Sequence, residues 1–519
     1  MRPFRIWLFI ALLMSALAPA HAEWWEAKTE HFVIYSQDTE RETRAFATEL
    51  ERFDHALRSL QSTKFEPIKS DSQRVTIYRI GDVDTMGRLA HASGVAGFYR
   101  AQLYPVAFTP VRGLKTRSDS IVRRDSRTDL DPRSVLFHEY AHHFMFQYFA
   151  GGYPSWYIEA FAETAATIVL KDDGTFHLGN PPQYRSDALF NSLMTVTPQS
   201  LLASTAKPDG EDHYGFYSVG WLMNHYLTFE PKRKGQMQTY LRLVNSGMDS
   251  GPAARQAFGD LNKLGAEISR YKSSGKLGGA LVRPATKVNP QVIMRRLAED
   301  EEAVMRLKVR TKAGVTKGEA RGVASDARDL ARRYPNSLAA HLQLAEAEYD
   351  AKNLDGADAA ADRAIQLRPN SVDALMAKAQ VQLKRGKKDK QYLPQARAFA
   401  ARAHRLDPVD PAPLVANYLS YFDAGQAVPE NAIIGLETAY DRGRQDVGLR
   451  VLLGRQLLAE KKGKLARDIL LPLGLNPHEA KSKKKMREII DLIDASKLDE
   501  AYTKLAAEMK KWEDEAEKG

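Results

Sequence analysis

The chain of 519 residues contains no cysteine. That absence excludes a disulfide framework, a thiolate zinc finger, an iron–sulfur cluster and a cysteine nucleophile. A metal site in this chain must use histidine and carboxylates. Long hydrophobic runs are also missing: the longest, Ile6 to Leu17, has 12 residues, whereas a membrane span takes about 20. Charge of one sign is not in marked excess, with 75 Lys and Arg against 65 Asp and Glu and a net charge of +10. Such a balance gives no support to a nucleic-acid partner. A hydrophobic fraction of 44% with 27% charged residues argues against both a disordered chain and a polytopic membrane protein. The length leaves room for about two to four domains with their own cores.

The first 22 residues have a basic start (Arg2, Arg5), the short apolar run, a helix breaker at Pro19 and small residues in Ala20-His21-Ala22. This pattern predicts a cleavable signal peptide over residues 1–22 and a mature chain from Glu23. The expected location is outside the cytoplasm, in the periplasm of a Gram-negative bacterium, with no stable membrane span after cleavage. Lipoprotein anchoring would need a cysteine to acylate.

From residue 23 to about 285 strand-like and helix-like segments mix. His31 to Tyr35, Val75 to Ile80 and Val95 to Tyr99 are rich in β-branched and aromatic residues. Thr39 to Leu60 carries Phe46, Leu50, Phe53 and Leu57 at helical spacing. The stretch from Ser273 to Pro290, with its glycines and prolines, reads as a linker. Beyond it, residues 286–480 turn rich in Ala, Leu, Arg and Glu and they repeat. Pro335-Asn336-Ser337 returns 34 residues later as Pro369-Asn370-Ser371, and Pro408 follows after an insertion around Lys387 to Tyr392. With Ala345, Gly356, Ala357, Ala364, Ala379, Gly386, Ala396 and Ala403 in place, this segment resembles the tetratricopeptide repeat (TPR), a helix-turn-helix unit. Gly454 and Ala466 mark a degenerate later copy. Residues 481–519 hold ten basic and ten acidic residues and are expected to form a charged helical tail. The first domain and the repeats are expected to stand as separate modules, divisible at the linker.

One short segment carries chemistry. His138-Glu139-Tyr140-Ala141-His142 follows Asp131-Pro132, a cap and a first-turn proline, and precedes Gly151-Gly152. The motif therefore sits inside a helix of about 18 residues, with His138 and His142 on one face. Two imidazoles so placed can hold a zinc ion (Zn2+), and Glu139 can take a proton from its water as general base. A second helix follows at once, with Glu159 and Glu163 four residues apart on one face. Either carboxylate could be the third ligand on spacing alone.

The pairing of that motif with Pro154-Ser155-Trp156-Tyr157-Ile158-Glu159-Ala160-Phe161-Ala162-Glu163 resembles the gluzincin metallopeptidases of the thermolysin-like superfamily. Among them it is most similar to the peptidase MA-like group, which opens on a Trp-rich segment and a strand like Thr29 to Tyr35. The resemblance implies an α+β zincin-like metallopeptidase domain over residues 23–285, followed by the all-α TPR-like repeat domain. It implies His138, His142 and Glu159 as zinc ligands, Glu139 as base, and Glu163 as a carboxylate orienting a ligating histidine. The family usually has glycine where this chain has Ala160. His143 is expected to point off the metal face.

Catalysis also needs a donor for the developing oxyanion. Tyr217 is the first candidate, with Tyr214 and His213 behind it, in a helix resembling the family's Tyr-containing helix. Gly94 to Arg100 is an expected edge strand for binding a peptide by strand addition. The reading is thus a zinc peptidase acting on a protein or peptide substrate, with the repeats recruiting a protein partner. The rival readings are an inactive TPR scaffold of the cell envelope and, against the His-rich helix, a glycan hydrolase.

Overall fold

The computed structural model describes residues 23–518 apart from 62–65, 93–94, 113–130, 150, 186–188, 190–195, 204–211 and 476–479, and without the side chains of 212–214, 480–483 and 516–518. The expected signal peptide and the start of the expected edge strand, Gly94, lie outside the described residues. The protein is mostly helical, with 21 α-helices among the described residues and a mixed sheet near the N-terminus. None of these helices is long and apolar enough to cross a membrane.

Six strands make the main sheet: β1 (Trp25–Lys28), β2 (Phe32–Ser36), β3 (Val75–Arg79), β4 (Phe98–Arg100), β5 (Val106–Thr109) and β9 (Ile293–Arg296). Their order is β4-β5-β3-β2-β1-β9, with β2, β3 and β5 mutually parallel. A smaller antiparallel sheet joins β6 (Val169–Leu170), β7 (Phe176–Leu178) and β8 (Ala280–Val282). Alternation along the strands sends side chains to two faces. Phe32, Ile34, Ile77 and Ala107 pack against helices Glu40–Ser59, Pro132–Tyr148 and Ser155–Ala166. Tyr78, Val106 and Phe108 point to the opposite face, where Met305, Val309 and Ala313 cover them. Burial on both faces explains why β2 and β3 read as nearly continuous apolar runs.

That second covering layer corrects the expected boundary at 285. The helix Glu299–Ala313 closes the main sheet, β9 pairs with β1, and β8 pairs with β7 inside the segment expected to be a linker. Residues 286–313 therefore belong physically to the first core.

The repeat region is a row of helix pairs: Lys317–Arg333 follows Glu299–Ala313, then Leu338–Asp350 with Leu354–Leu367, Val372–Gly386 with Leu393–Leu406, Pro411–Phe422 with Glu430–Arg442, and Val447–Ala459 with Gly463–Leu470. The recurring motif has a local cause. Ser337 and Ser371 accept from the N–H groups of Ala340 and Ala374, at 3.1 and 3.3 Å, and so cap the helices that open their repeats. Asp410 and Asp446 do the same in the next two, through Ala412 and Leu449. Ala357, Ala364, Ala379, Ala396 and Ala403 are fully buried, so small side chains set the close approach of paired helices. The insertion at Lys387–Tyr392 contains a turn of 3-10 helix (Lys390–Tyr392) and leaves the pair intact.

Two further expectations need correction. Residues 481–519 are not a separate solvated tail, because Ala480–Asp494 and Leu498–Lys518 form another helix pair whose Met486, Ile489, Ile493, Ala501 and Leu505 share a core with Leu453 and Leu470. Nor are the halves independent: Ser155 Oγ donates to the carbonyl of Leu475 at 3.0 Å, and the Arg444 N–H donates to Gln147 Oε1 at 2.9 Å.

Candidate functional site

The helix Pro132–Tyr148 begins where Asp131 accepts from the Arg133 N–H, with Pro132 in the first turn. It is held by its inner face: Phe137 stacks on Phe53 at 3.7 Å between ring centroids, and Tyr140 donates to Asp54 at 2.5 Å. Its other face presents His138 and His142, whose Nε2 atoms lie 3.1 Å apart. The helix Ser155–Ala166 crosses beneath and brings Glu159 Oε2 to 3.4 Å from His138 Nε2 and 3.5 Å from His142 Nε2. Three donor atoms thus form one nearly equilateral triangle. His138, His142 and Glu159 make a group able to hold a metal ion.

Glu163 lies one turn further and behind the triangle, 3.7 Å from His138 Nδ1. Fully buried, it accepts from Tyr184 OH at 2.7 Å and from Arg185 at 2.9 and 3.2 Å. Burial acts to lower the His138 pKa, but Glu159 and Glu163 outweigh it and raise it. Glu139 stands beside the triangle. Burial pushes its carboxyl above the ordinary carboxylate range, against the pull of His138, His142 and a hydrogen bond from the Tyr99 N–H.

Ala160 is buried against Gly220 of the helix Asp212–Phe229. A Cβ at Gly220 would lie 3.4 Å from the Trp156 carbonyl and 3.7 Å from Ala160 Cβ, ordinary contact distances, so the two helices pack closely here. That helix also carries Tyr217, whose ring centre is 6.1 Å from that of His138 and lies under the Arg185 guanidinium at 4.6 Å. Burial, then the nearby Glu159, raises the Tyr217 pKa and keeps the phenol protonated. The side chains of His213 and Tyr214 lie outside those described.

Against this arrangement stand the comparisons with known proteins. No family model matches the chain, and no curated protein matches it. Among solved structures it is similar to one described as the MamA RS-1 ArsTM double mutant, at 18% identity, over 37% of this chain and 96% of that one, with a TM-score of 0.27. So slight a likeness carries no argument.

The site contains residues that the sequence did not single out. Tyr99, on β4, shares a hydrogen bond between its hydroxyl and His143 Nδ1 at 2.8 Å, while its backbone N–H reaches Glu139. His143 does point away from the triangle, as expected, but it ties the edge strand to the helix Pro132–Tyr148. Burial drives its pKa down to about 3, so the ring stays neutral. Tyr184 and Arg185 follow Glu163 by 21 and 22 residues on a short 3-10 turn (Gln183–Arg185). A tyrosine–arginine pair in a proline-flanked loop was the sole signal available for them.

Proposed function

We propose that the protein is a zinc-dependent peptidase of the gluzincin type, exported by its signal peptide to the periplasm, with TPR-like repeats that recruit a protein client. The observation that carries this reading is the triangle of His138, His142 and Glu159 with Glu139 beside it. Ligands held tetrahedrally about 2.0–2.1 Å from a zinc ion lie about 3.4 Å from one another. The three observed separations are 3.1, 3.4 and 3.5 Å. Two imidazoles and a carboxylate are also a donor set that zinc prefers, and three protein ligands leave a position open.

Zinc bound there supplies a water of lowered pKa and a positive charge for the scissile carbonyl. The chain's own groups do the rest. Glu139 takes the proton of the attacking water and returns it to the leaving amine, and a carboxyl raised by burial is suited to both directions. Tyr217, held protonated, donates to the oxyanion as it develops. Glu163, 3.7 Å from His138 Nδ1, acts on that nitrogen through its charge, favouring the proton there and leaving Nε2 to ligate, while Tyr184 and Arg185 fix Glu163. Beside Glu139, β4 is an edge of the main sheet and offers an extended peptide a strand to pair with.

The test is purification of the mature full-length protein followed by metal analysis and assay on an unfolded protein. About one zinc per chain is expected, with turnover abolished by a chelator and restored by zinc. A metal-free protein with no turnover after zinc is added would leave the scaffold reading in its place.

A further inference from the structure

The turns between successive helix pairs of the array do more than connect them. Asp410 caps the helix Pro411–Phe422 through the Ala412 N–H, and the same carboxylate accepts from Tyr104 OH, 2.7 and 2.9 Å from its two oxygens. One repeat further on, Asp446 caps Val447–Ala459 and also accepts from the Leu103 N–H. Its neighbour Gln445, buried, donates to the Gln102 carbonyl at 3.0 Å. Leu103 packs between two apolar clusters of the array. The approach is close enough that a Cβ on Gly443 would lie 3.0 Å from Leu103 Cδ1.

Residues 102–104 are the turn that joins β4 to β5. β4 has three residues and a single strand neighbour, β5. So short an edge strand frays unless something holds its free end. On one side Tyr99 is tied to His143; on the other, the turn is gripped by two consecutive inter-repeat turns. A third contact acts on the helix Pro132–Tyr148, where the end of the helix Glu430–Arg442, just before the second of these turns, receives Gln147: its amide donates to the carbonyls of Asp441 and Arg442, at 3.4 and 3.3 Å.

We infer that the inter-repeat turns at 407–410 and 443–446 clamp the edge strand beside Glu139, with Asp410, Gln445 and Asp446 as positioning residues. The clamp stands on these contacts alone; its kinetic consequence rests on the peptidase reading. Two repeats that look like recruiting modules therefore hold the β4–β5 turn in register, and anything that shifts them shifts the strand.

The experiment compares full-length wild type with the variant Gln445→Ala plus Tyr104→Phe, neither of which removes a helix cap or a group at the metal site. Tyr104→Phe alone serves as a milder second variant. Amide hydrogen exchange is read by mass spectrometry without metal and with zinc. Exchange over residues 98–104 is expected to rise about tenfold in the double variant and less in the single one, with Phe32–Ser36 unchanged. Unaltered exchange over 98–104 in both variants overturns the clamp. On an unfolded-protein substrate KM is expected to rise roughly tenfold while kcat changes less than about twofold. Faster exchange with both constants unchanged would overturn the positioning role. A wild type that binds zinc but turns over no peptide would fail the peptidase reading, and the exchange result would still decide the clamp.

Discussion

The two halves of the molecule bury charge in opposite ways. Around the triangle, His142, Glu159 and Glu163 are almost wholly buried, and Glu51 and Asp54 lie behind the same helix. In the array the buried positions are mostly alanine and leucine. Buried charges there are matched by partners: Glu348 by Arg328 and Lys378 by Asp358 and Asp362 within the array, Asp410 by a cap in its own repeat and by Tyr104 of the other half. Burying a charge costs free energy unless a partner or a metal compensates it. Acids gathered round two histidines, with a second ring of Tyr184 and Arg185, are what a cation-binding centre requires. Charges spent on caps and ion pairs are what a scaffold requires.

The largest expected effect breaks the idea that these halves separate at the composition change. A chain cut to residues 23–288 lacks β9 and the helix whose Met305 and Val309 cover the main sheet. Each such side chain contributes about 1.5–3 kcal/mol on burial, and whole domains have only about 5–15 kcal/mol to lose. The truncated chain should show no cooperative thermal melt, whereas full length should; a sharp melt for 23–288 would restore the modular view.

Next in size is the contrast between the two glutamates. Glu159→Ala should leave the site empty at micromolar zinc, and Glu163→Ala should weaken binding only about 10- to 100-fold, measured against a competing chelator. The reverse order would move the ligand to Glu163.

A smaller effect concerns the tie between strand and helix. Tyr99→Phe removes the hydroxyl partner of a buried imidazole and should cost about 1–3 kcal/mol in urea unfolding. An unchanged midpoint would mean that His143 finds another partner.

The smallest belongs to the array. Burial lifts the Asp410 carboxyl to about 6, against about 3.9 in an unfolded chain. Between those values the folded state holds the extra proton, so this group's contribution makes stability fall as pH rises from about 4 to 6, by up to roughly 3 kcal/mol. Asp410→Asn should flatten that part of the stability–pH curve, and an unaltered slope would assign the effect elsewhere.

What the sequence discloses follows the range of each interaction. The two histidines of the triangle are four residues apart, a single turn, and the first two repeat caps, Ser337 and Ser371, recur within an identical Pro-Asn-Ser motif; both are local patterns. β9 was unreadable because Ile293–Arg296 faces solvent along much of its length, with Ile293 69% exposed, and so has no alternating apolar pattern. The pairing of Tyr99 with His143, or of Gln445 with Gln102, joins segments 44 and 343 residues apart, and no local signal marks them. The last helix pair was readable in part: Met486, Ile489, Ile490 and Ile493 keep helical spacing, and the balanced charge around them obscured it.

The central claim is that Glu139 is the base of a zinc site it does not help to form. Zinc content and turnover measured together on full-length Glu139→Gln test it most directly. The account predicts wild-type zinc with turnover reduced at least about 100-fold, within the range for a lost general base. Wild-type turnover in that variant would contradict it.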